Sequence, residues 1–180
     1  GLLASLGFRE VAVFARPRVV IVPTGSEIVG AGQELHAAQI YESNAQALAV
    51  AVRETGAEPL MYDIVPDDRG LLHEAMQQAL QESSHVLICG GVSVGDRDYN
   101  KSVLEDCHVQ EIFWGVAQKP GKPLYFGIRE NVGVFGLPGN PVSSLCCFYE
   151  YVRPALLTAM GYTLAGGGTD PVFLPQEQAR

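Results

Sequence analysis

The sequence predicts an α/β domain whose mostly parallel sheet is covered by helices on both faces. Two unbroken aliphatic runs, Arg18–Val22 and His85–Cys89, suit strands buried on both sides. Helical patterns lie between the strand candidates and give a β-α-β-α-β alternation, which right-handed crossovers wind into a parallel sheet. Three glycine-rich turns, Pro23–Glu27, Gly90–Asp98 and Gly136–Pro141, each follow a strand candidate. Loops at the carboxyl ends of parallel strands share one rim, where glycines let backbone N–H groups approach an anionic ligand.

Residues 1–16 read as a lead-in to an α/β unit spanning 17–161. After the first strand, Ser43 or Asn44 caps a helix whose Leu48, Ala51, Val52 and Thr55 share a face, and Gly56 stops it. Glu58–Val65 reads as the next strand and Asp67-Asp68 as a turn and cap. A second helix follows, with Leu71, Leu72, Ala75, Met76, Ala79 and Leu80 as its inner stripe. Past the Gly90 turn, Asn100–Asp106 predicts a short helix, and Glu111–Val116, Leu124–Ile128 and Val132–Phe135 predict strands. Asn131-Val132-Gly133 predicts a tight hairpin, which makes one margin of the sheet antiparallel. Asn140 and Pro141 read as the cap and first-turn proline of a long helix running toward Met160, bent at Pro154. Residues 162–180 read as a linker, Gly166-Gly167-Gly168, and the start of a C-terminal domain with a short strand at Val172-Phe173-Leu174.

A chain of 180 residues suffices for one well-buried domain and a fragment of a second, and 47% hydrophobic with 18% charged residues fits a soluble globular protein. Twenty acidic against twelve basic residues, a net charge of -8, argue against nucleic acid or an anionic membrane as partner. An anionic ligand would need a divalent cation or a few placed lysines. The four cysteines show no zinc or redox spacing, so they read as buried thiols in a reducing, cytoplasmic setting. The opening Gly1–Gly7 lacks the charged start of a signal peptide and an initiator Met, so the chain reads as an excised piece of something longer.

Candidate chemistry concentrates in the turns. Glu27, Asp67 or Asp68, Asp96 and Asp98 offer the hard oxygen ligands that Mg²⁺ prefers, while Asp68 beside a helix start is read as a cap. Lys119-Pro120-Gly121-Lys122-Pro123 puts two ammonium groups on a stiff turn, and the acids and lysines are expected to face one crevice. Gly139-Asn140-Pro141 opens a helix that either receives a phosphate, with Ser143 and Ser144 as hydroxyl donors, or is a plain cap. A P-loop fails because Gly121-Lys122 runs into Pro123. No GxGxxG follows the first strand, and the four histidines show no triad or zinc spacing.

Four segments in order, Pro23–Glu27, Gly90–Tyr99, Lys119–Pro123 and Gly136–Ser143, resemble the molybdopterin molybdenumtransferases, the family shared with the E domain of gephyrin. The resemblance runs from about Gly1 to Met160. It implies a three-layer α/β/α, MogA-like molybdopterin-binding domain that takes adenylylated molybdopterin. Molybdate would be inserted at the dithiolene in a Mg²⁺-dependent reaction that releases AMP. Carried onto this sequence, Asp98, Lys119, Lys122 and Glu27 fall at catalytic positions and Glu27, Asp67, Asp96 and Asp98 at metal positions. Thr24, Gly25, Gly90, Gly91, Val92, Ser93, Gly95, Gly139, Asn140 and Ser143 fall at molybdopterin and phosphate contacts. Ser26 departs from the family, which often carries Asp there. The resemblance further implies a homo-oligomer, a dimer in the full-length protein, and contact with other cofactor-biosynthesis proteins. The alternatives are the related molybdopterin adenylyltransferase and a non-catalytic molybdopterin-binding or scaffold module.

Overall fold

A computed structural model describes residues 1–90 and 99–163. Its main sheet contains β1 (Arg18–Pro23), β4 (Glu58–Met61), β5 (His85–Cys89), β6 (Gln110–Trp114), β7 (Tyr125–Arg129) and β8 (Val132–Leu137), in the order β4-β1-β5-β8-β7-β6. The first four neighbours are parallel, and β7 and β6 close the sheet antiparallel. Between β1 and the first long helix, β2 (Ile28–Val29) and β3 (Ile40–Tyr41) form a small parallel pair that the sequence pattern did not announce.

Alternation along the strands divides the core into two layers. Val19, Ile21, Leu87 and Cys89 face one side, where α2 (Asn44–Thr55) and the C-terminal helical segment pack. Val20, Val22, Val86 and Ile88 face the other, under α3 (Arg69–Glu82) and α4 (Tyr99–Asp106). The three-layer expectation therefore holds. A four-residue helix, α1 (Leu2–Ser5), lies in the exposed N-terminal segment.

Helix limits follow local chemistry. Gly56 ends α2 with φ 98, a left-handed stop that glycine tolerates. Thr55 is only half-buried, and its hydroxyl bonds back to the carbonyl of Ala51 at 2.8 Å. In α3 the buried stripe is Leu72, Met76, Ala79 and Leu80, while Leu71 turns outward. The hairpin between β7 and β8 turns at Glu130-Asn131, one residue ahead of the predicted triplet, with Glu130 at φ 53.

Two sequence expectations change shape. The strand predicted over Glu58–Val65 ends at Met61 and touches β1 again only where Val65 pairs with Thr24. Pro23 supplies the reason, because it has no N–H to donate to the next carbonyl of β4. Its own carbonyl accepts from Val65, at 2.9 Å, so the ladder skips ahead and the chain between Tyr62 and Val65 lifts away. The helix predicted to run to Met160 is α5 (Pro141–Cys147), one π-helical turn (Phe148–Val152) and α6 (Arg153–Ala159). Arg153 N donates to Phe148 O, a five-residue step, and the wider turn gives the Pro154 ring room beside the carbonyl of Glu150.

Candidate functional site

The tips of the four parallel strands are knitted into one rim. Thr24 N donates to Cys89 O at 3.0 Å, Gly25 N to Val65 O at 3.1 Å and Gly90 N to Leu137 O at 3.2 Å. The connection leaving β1 goes to one face of the sheet and that leaving β5 to the other, so a crevice opens between their tips. Gly90 sits there at φ 96, and a Cβ on it would stand 2.8 Å from the carbonyl oxygen of Thr24, so no larger residue fits. A Cβ on Gly139 would lie 4.0 Å from the Cα of Gly90. Thr24, Gly25, Gly90 and Gly139 are thus brought together.

Closeness does not make all of their amides available. The N–H groups of Thr24, Gly25 and Gly90 are engaged within the protein because the ladder continues through the strand tips. Among the described residues, the amides of Gly139, Asn140 and Val142 donate to no protein group. Asn140 caps α5, its Oδ1 accepting from Ser143 N at 3.2 Å and from Ser143 Oγ at 3.3 Å. The cap and the free amides therefore coexist at one helix start.

The two neighbouring aspartates divide in role. Asp68 is the N-cap of α3, accepting from Gly70 N at 2.9 Å and Leu71 N at 3.0 Å. Asp67 reaches the other way, its carboxylate accepting from Ser26 N at 3.0 Å while Ser26 Oγ accepts from Asp67 N at 3.0 Å. This reciprocal pair fastens the turn after β1 to the turn before α3. Glu27 folds back over Gly25, where a Cβ would come within 2.9 Å of its carboxylate. Glu27 and Asp67 are both exposed at the β1–β4 flank of the rim. No group of three or more His, Cys, Asp or Glu that could hold a metal ion occurs among the described residues. Gly91, Val92, Ser93, Gly95, Asp96 and Asp98 lie outside the described residues, as do the predicted linker at Gly166–Gly168 and the strand at 172–174.

Lys119 and Lys122 stand on the connection from β6 to β7. Because β7 runs antiparallel to β8, with Tyr125 opposite Gly136, that connection comes back to the same rim beside the Leu137–Gly139 turn. Gly121, at φ 107, packs so closely on α5 that a Cβ would meet Cys147 Sγ at 2.6 Å. Tyr151 OH donates to Gln118 Oε1 and Gln118 Nε2 to Pro120 O, each at 2.8 Å, which fixes the turn from below. Both lysines are exposed, and among the described residues neither forms an ion pair. Three strand spacings separate β1 from β7, roughly 14 Å. The acids and the lysines hold opposite flanks of one rim and do not meet at a point.

Sequence reasoning missed two further residues of this rim. Glu42 Oε1 accepts from Ala45 N at 2.6 Å, closing the first turn of α2. Burial first, and then the Glu42 charge, push the Cys89 thiol pKa far up, so that cysteine stays protonated and inert. Asn44 Nδ2 donates to Gly139 O at 2.8 Å and ties α2 to the β8–α5 turn. The only signal for Glu42 was an acid just before Ser43, whereas Asn44, read from the sequence as an alternative to Ser43 for the cap, makes this tie instead, and Ser43 forms no side-chain cap bond. The remaining thiols are free, with Cys107 and Cys147 buried and Cys146 half-buried.

Residues 21–158 match a protein family described as a probable molybdopterin binding domain. The chain is 39% identical over 160 residues to the molybdopterin molybdenumtransferase of Haemophilus influenzae, covering 89% of this chain and 39% of that protein. It is 38% identical over 176 residues to the enzyme of the same name from Nostoc sp., covering 96% and 40%. The chain thus spans about two fifths of the length of these relatives. A solved molybdopterin biosynthesis moeA protein from Pyrococcus horikoshii superposes with a TM-score of 0.78 at 38% identity, over 89% of this chain and 39% of that one. Molybdenum cofactor biosynthesis protein B, at 18% identity and a TM-score of 0.64, covers 83% of this chain and 97% of its own, and shares the fold.

Proposed function

The chain belongs to the molybdopterin-binding domain family of molybdenum cofactor biosynthesis, and from that premise we propose that it is the substrate-binding domain of a molybdopterin molybdenumtransferase. In this reading residues 17–161 form the binding unit of a cytoplasmic, homo-oligomeric enzyme. Its substrates are adenylylated molybdopterin and molybdate, and AMP is released. The observation that carries the reading is the single rim on which Thr24, Gly25, Gly90 and Gly139 converge, flanked by acids on one side and lysines on the other.

The chemistry of the donor set fits Mg²⁺. That ion is commonly held by one or two carboxylates together with phosphate oxygens, which matches a pair, Glu27 and Asp67, rather than a closed cage. Bound there with Asp96 and Asp98, it would neutralise phosphate charge. The chain's own groups do the rest. Gly90 and Gly139 keep the crevice floor free of side chains, so a phosphoanhydride can lie close to the backbone. The amides of Gly139 and Asn140 donate to its oxygens. Lys119 and Lys122, on a turn fixed by Gln118 and Cys147, lower the repulsion between molybdate and phosphate and hold them in line. No protein thiol is required, because the sulfurs that receive molybdenum belong to the substrate.

Replacing Asp98 with Ala in the full-length enzyme is expected to abolish molybdate-dependent release of AMP, and unchanged release removes the metal assignment. Because the chain spans about two fifths of its relatives, a second reading has it binding without turnover. Under that reading, release appears only when the flanking regions are present.

A further inference from the structure

Asn44, the first residue of α2, directs its side chain away from its own helix. The first turn of α2 is served by Glu42, whose Oε1 accepts from Ala45 N at 2.6 Å, and Ser43 makes no side-chain cap bond. Asn44 Nδ2 instead donates to Gly139 O at 2.8 Å, across 95 positions of sequence. Its Oδ1 is buried and has no hydrogen-bond partner among the described residues. A buried acceptor left unpaired costs stability, so an amide held in this way is a poor device for strength alone. Leucine would fill the same space without the unpaired atom.

Gly139 is where such a tie has most to control. Glycine leaves the peptide that follows it free to turn over, whereas on the far side of that peptide Asn140 is held at φ -69 by its cap to Ser143. The Gly139 carbonyl and the Asn140 N–H belong to this one peptide, and in a trans peptide they point in opposite directions. With the carbonyl drawn to α2, the N–H is turned away from α2, and it donates to no protein group among the described residues.

Resting on the proposed function, we propose that Asn44 is a positioning residue for the substrate's phosphate: by holding the Gly139 carbonyl it fixes the Asn140 N–H as a donor at the rim. A donor fixed beforehand loses no freedom when the anion arrives. The bond accepted at the carbonyl also polarises the peptide and makes its N–H the stronger donor. Asn44 acts through that peptide and not by contact with the anion.

Inorganic pyrophosphate with Mg²⁺ is the probe, titrated into the chain by calorimetry and followed at the Asn140 amide by NMR. Asn44→Leu is expected to weaken binding about tenfold while its urea midpoint equals or exceeds that of the unaltered chain, because the unpaired acceptor is gone and water can reach the exposed Gly139. Asn44→Asp suits a helix start but cannot donate to the carbonyl, so it should fold and bind more weakly still. Thr55→Ala, which breaks a bond within the same helix, should bind within twofold of the unaltered chain. The Asn140 amide proton should move downfield as pyrophosphate binds the unaltered chain, and move less in Asn44→Leu. Unchanged affinity in Asn44→Leu overturns the proposal, as does an Asn140 signal that does not respond in the unaltered chain. A midpoint that falls together with affinity in both Asn44 variants makes the residue structural and overturns it as well. If the unaltered chain binds no pyrophosphate, the reading of the rim falls and this inference with it.

Discussion

The two ends of β5 are built in opposite ways. At its start His85 is buried, with Ser84 Oγ 3.1 Å from its Nδ1 and Gly133 making room for its ring. At the other end Gly90 has no side chain and stands against Thr24 and Gly139. Both ends rely on a glycine, but for opposite ends: Gly133 lets the protein fill its own space, whereas Gly90 keeps space unfilled. Stability resides at the first end and binding at the second.

The largest expected effect comes from filling the open end. Gly90→Ala places a Cβ 2.8 Å from a backbone oxygen at φ 96. Overpacking and the unfavourable φ should together cost about 4 kcal/mol, read as a lower urea midpoint, and should abolish ligand binding. If the variant is as stable as the parent, the rim is not close-packed.

Acid should attack the closed end next. Burial holds the His85 imidazole neutral down to about 4, against an ordinary 6.5. The unfolded chain therefore takes up the proton first. Stability is full above pH 6.5 and falls as pH drops toward 4, by about 3 kcal/mol in all. Urea midpoints at pH 7.5 and 4.5 measure this, and His85→Gln should flatten the dependence.

The adjacent aspartates separate the two behaviours most directly. Asp68→Ala removes a helix cap and should cost about 1 kcal/mol with AMP release unchanged, whereas Asp67→Ala should abolish release. The reverse outcome would exchange their roles. Smallest in stability are Lys119→Ala and Lys122→Ala, within about 0.5 kcal/mol because both side chains are exposed and form no ion pair among the described residues. Each should nonetheless slow AMP release in the full-length enzyme.

What the sequence made legible follows the range of the interactions involved. β1, β5, α2 with its Gly56 stop, and the Asn140-Pro141 helix start are set by neighbours within a few residues, and the structure places them as the pattern predicts. The shortened β4 depends on Pro23, some forty positions earlier in the chain, through a donor that residue lacks. The Ser26–Asp67 pair and the Asn44–Gly139 tie likewise join segments that only the sheet brings together. For the rim, sequence gave the residue types and the shared edge, but not that the strand ladder engages three of its amides or that three strand spacings separate β1, beside the acids of one flank, from β7, beside the lysines of the other.

The π-helical turn at Phe148–Val152 bears on how this chain can change length. It accommodates one residue more than an α-helix of the same reach, and each residue rotates a helix by about 100°. Deleting a single position there would restore regular winding with Ala155 and Leu156 still facing the sheet they now cover, while taking from the Pro154 ring the room that the wider turn gives it. The turn thus absorbs a residue without changing the phase between the rim-facing start of the helix and its buried end. A one-residue deletion in α5 or α6 should therefore be far less tolerated than one in this turn, because it rotates everything beyond it.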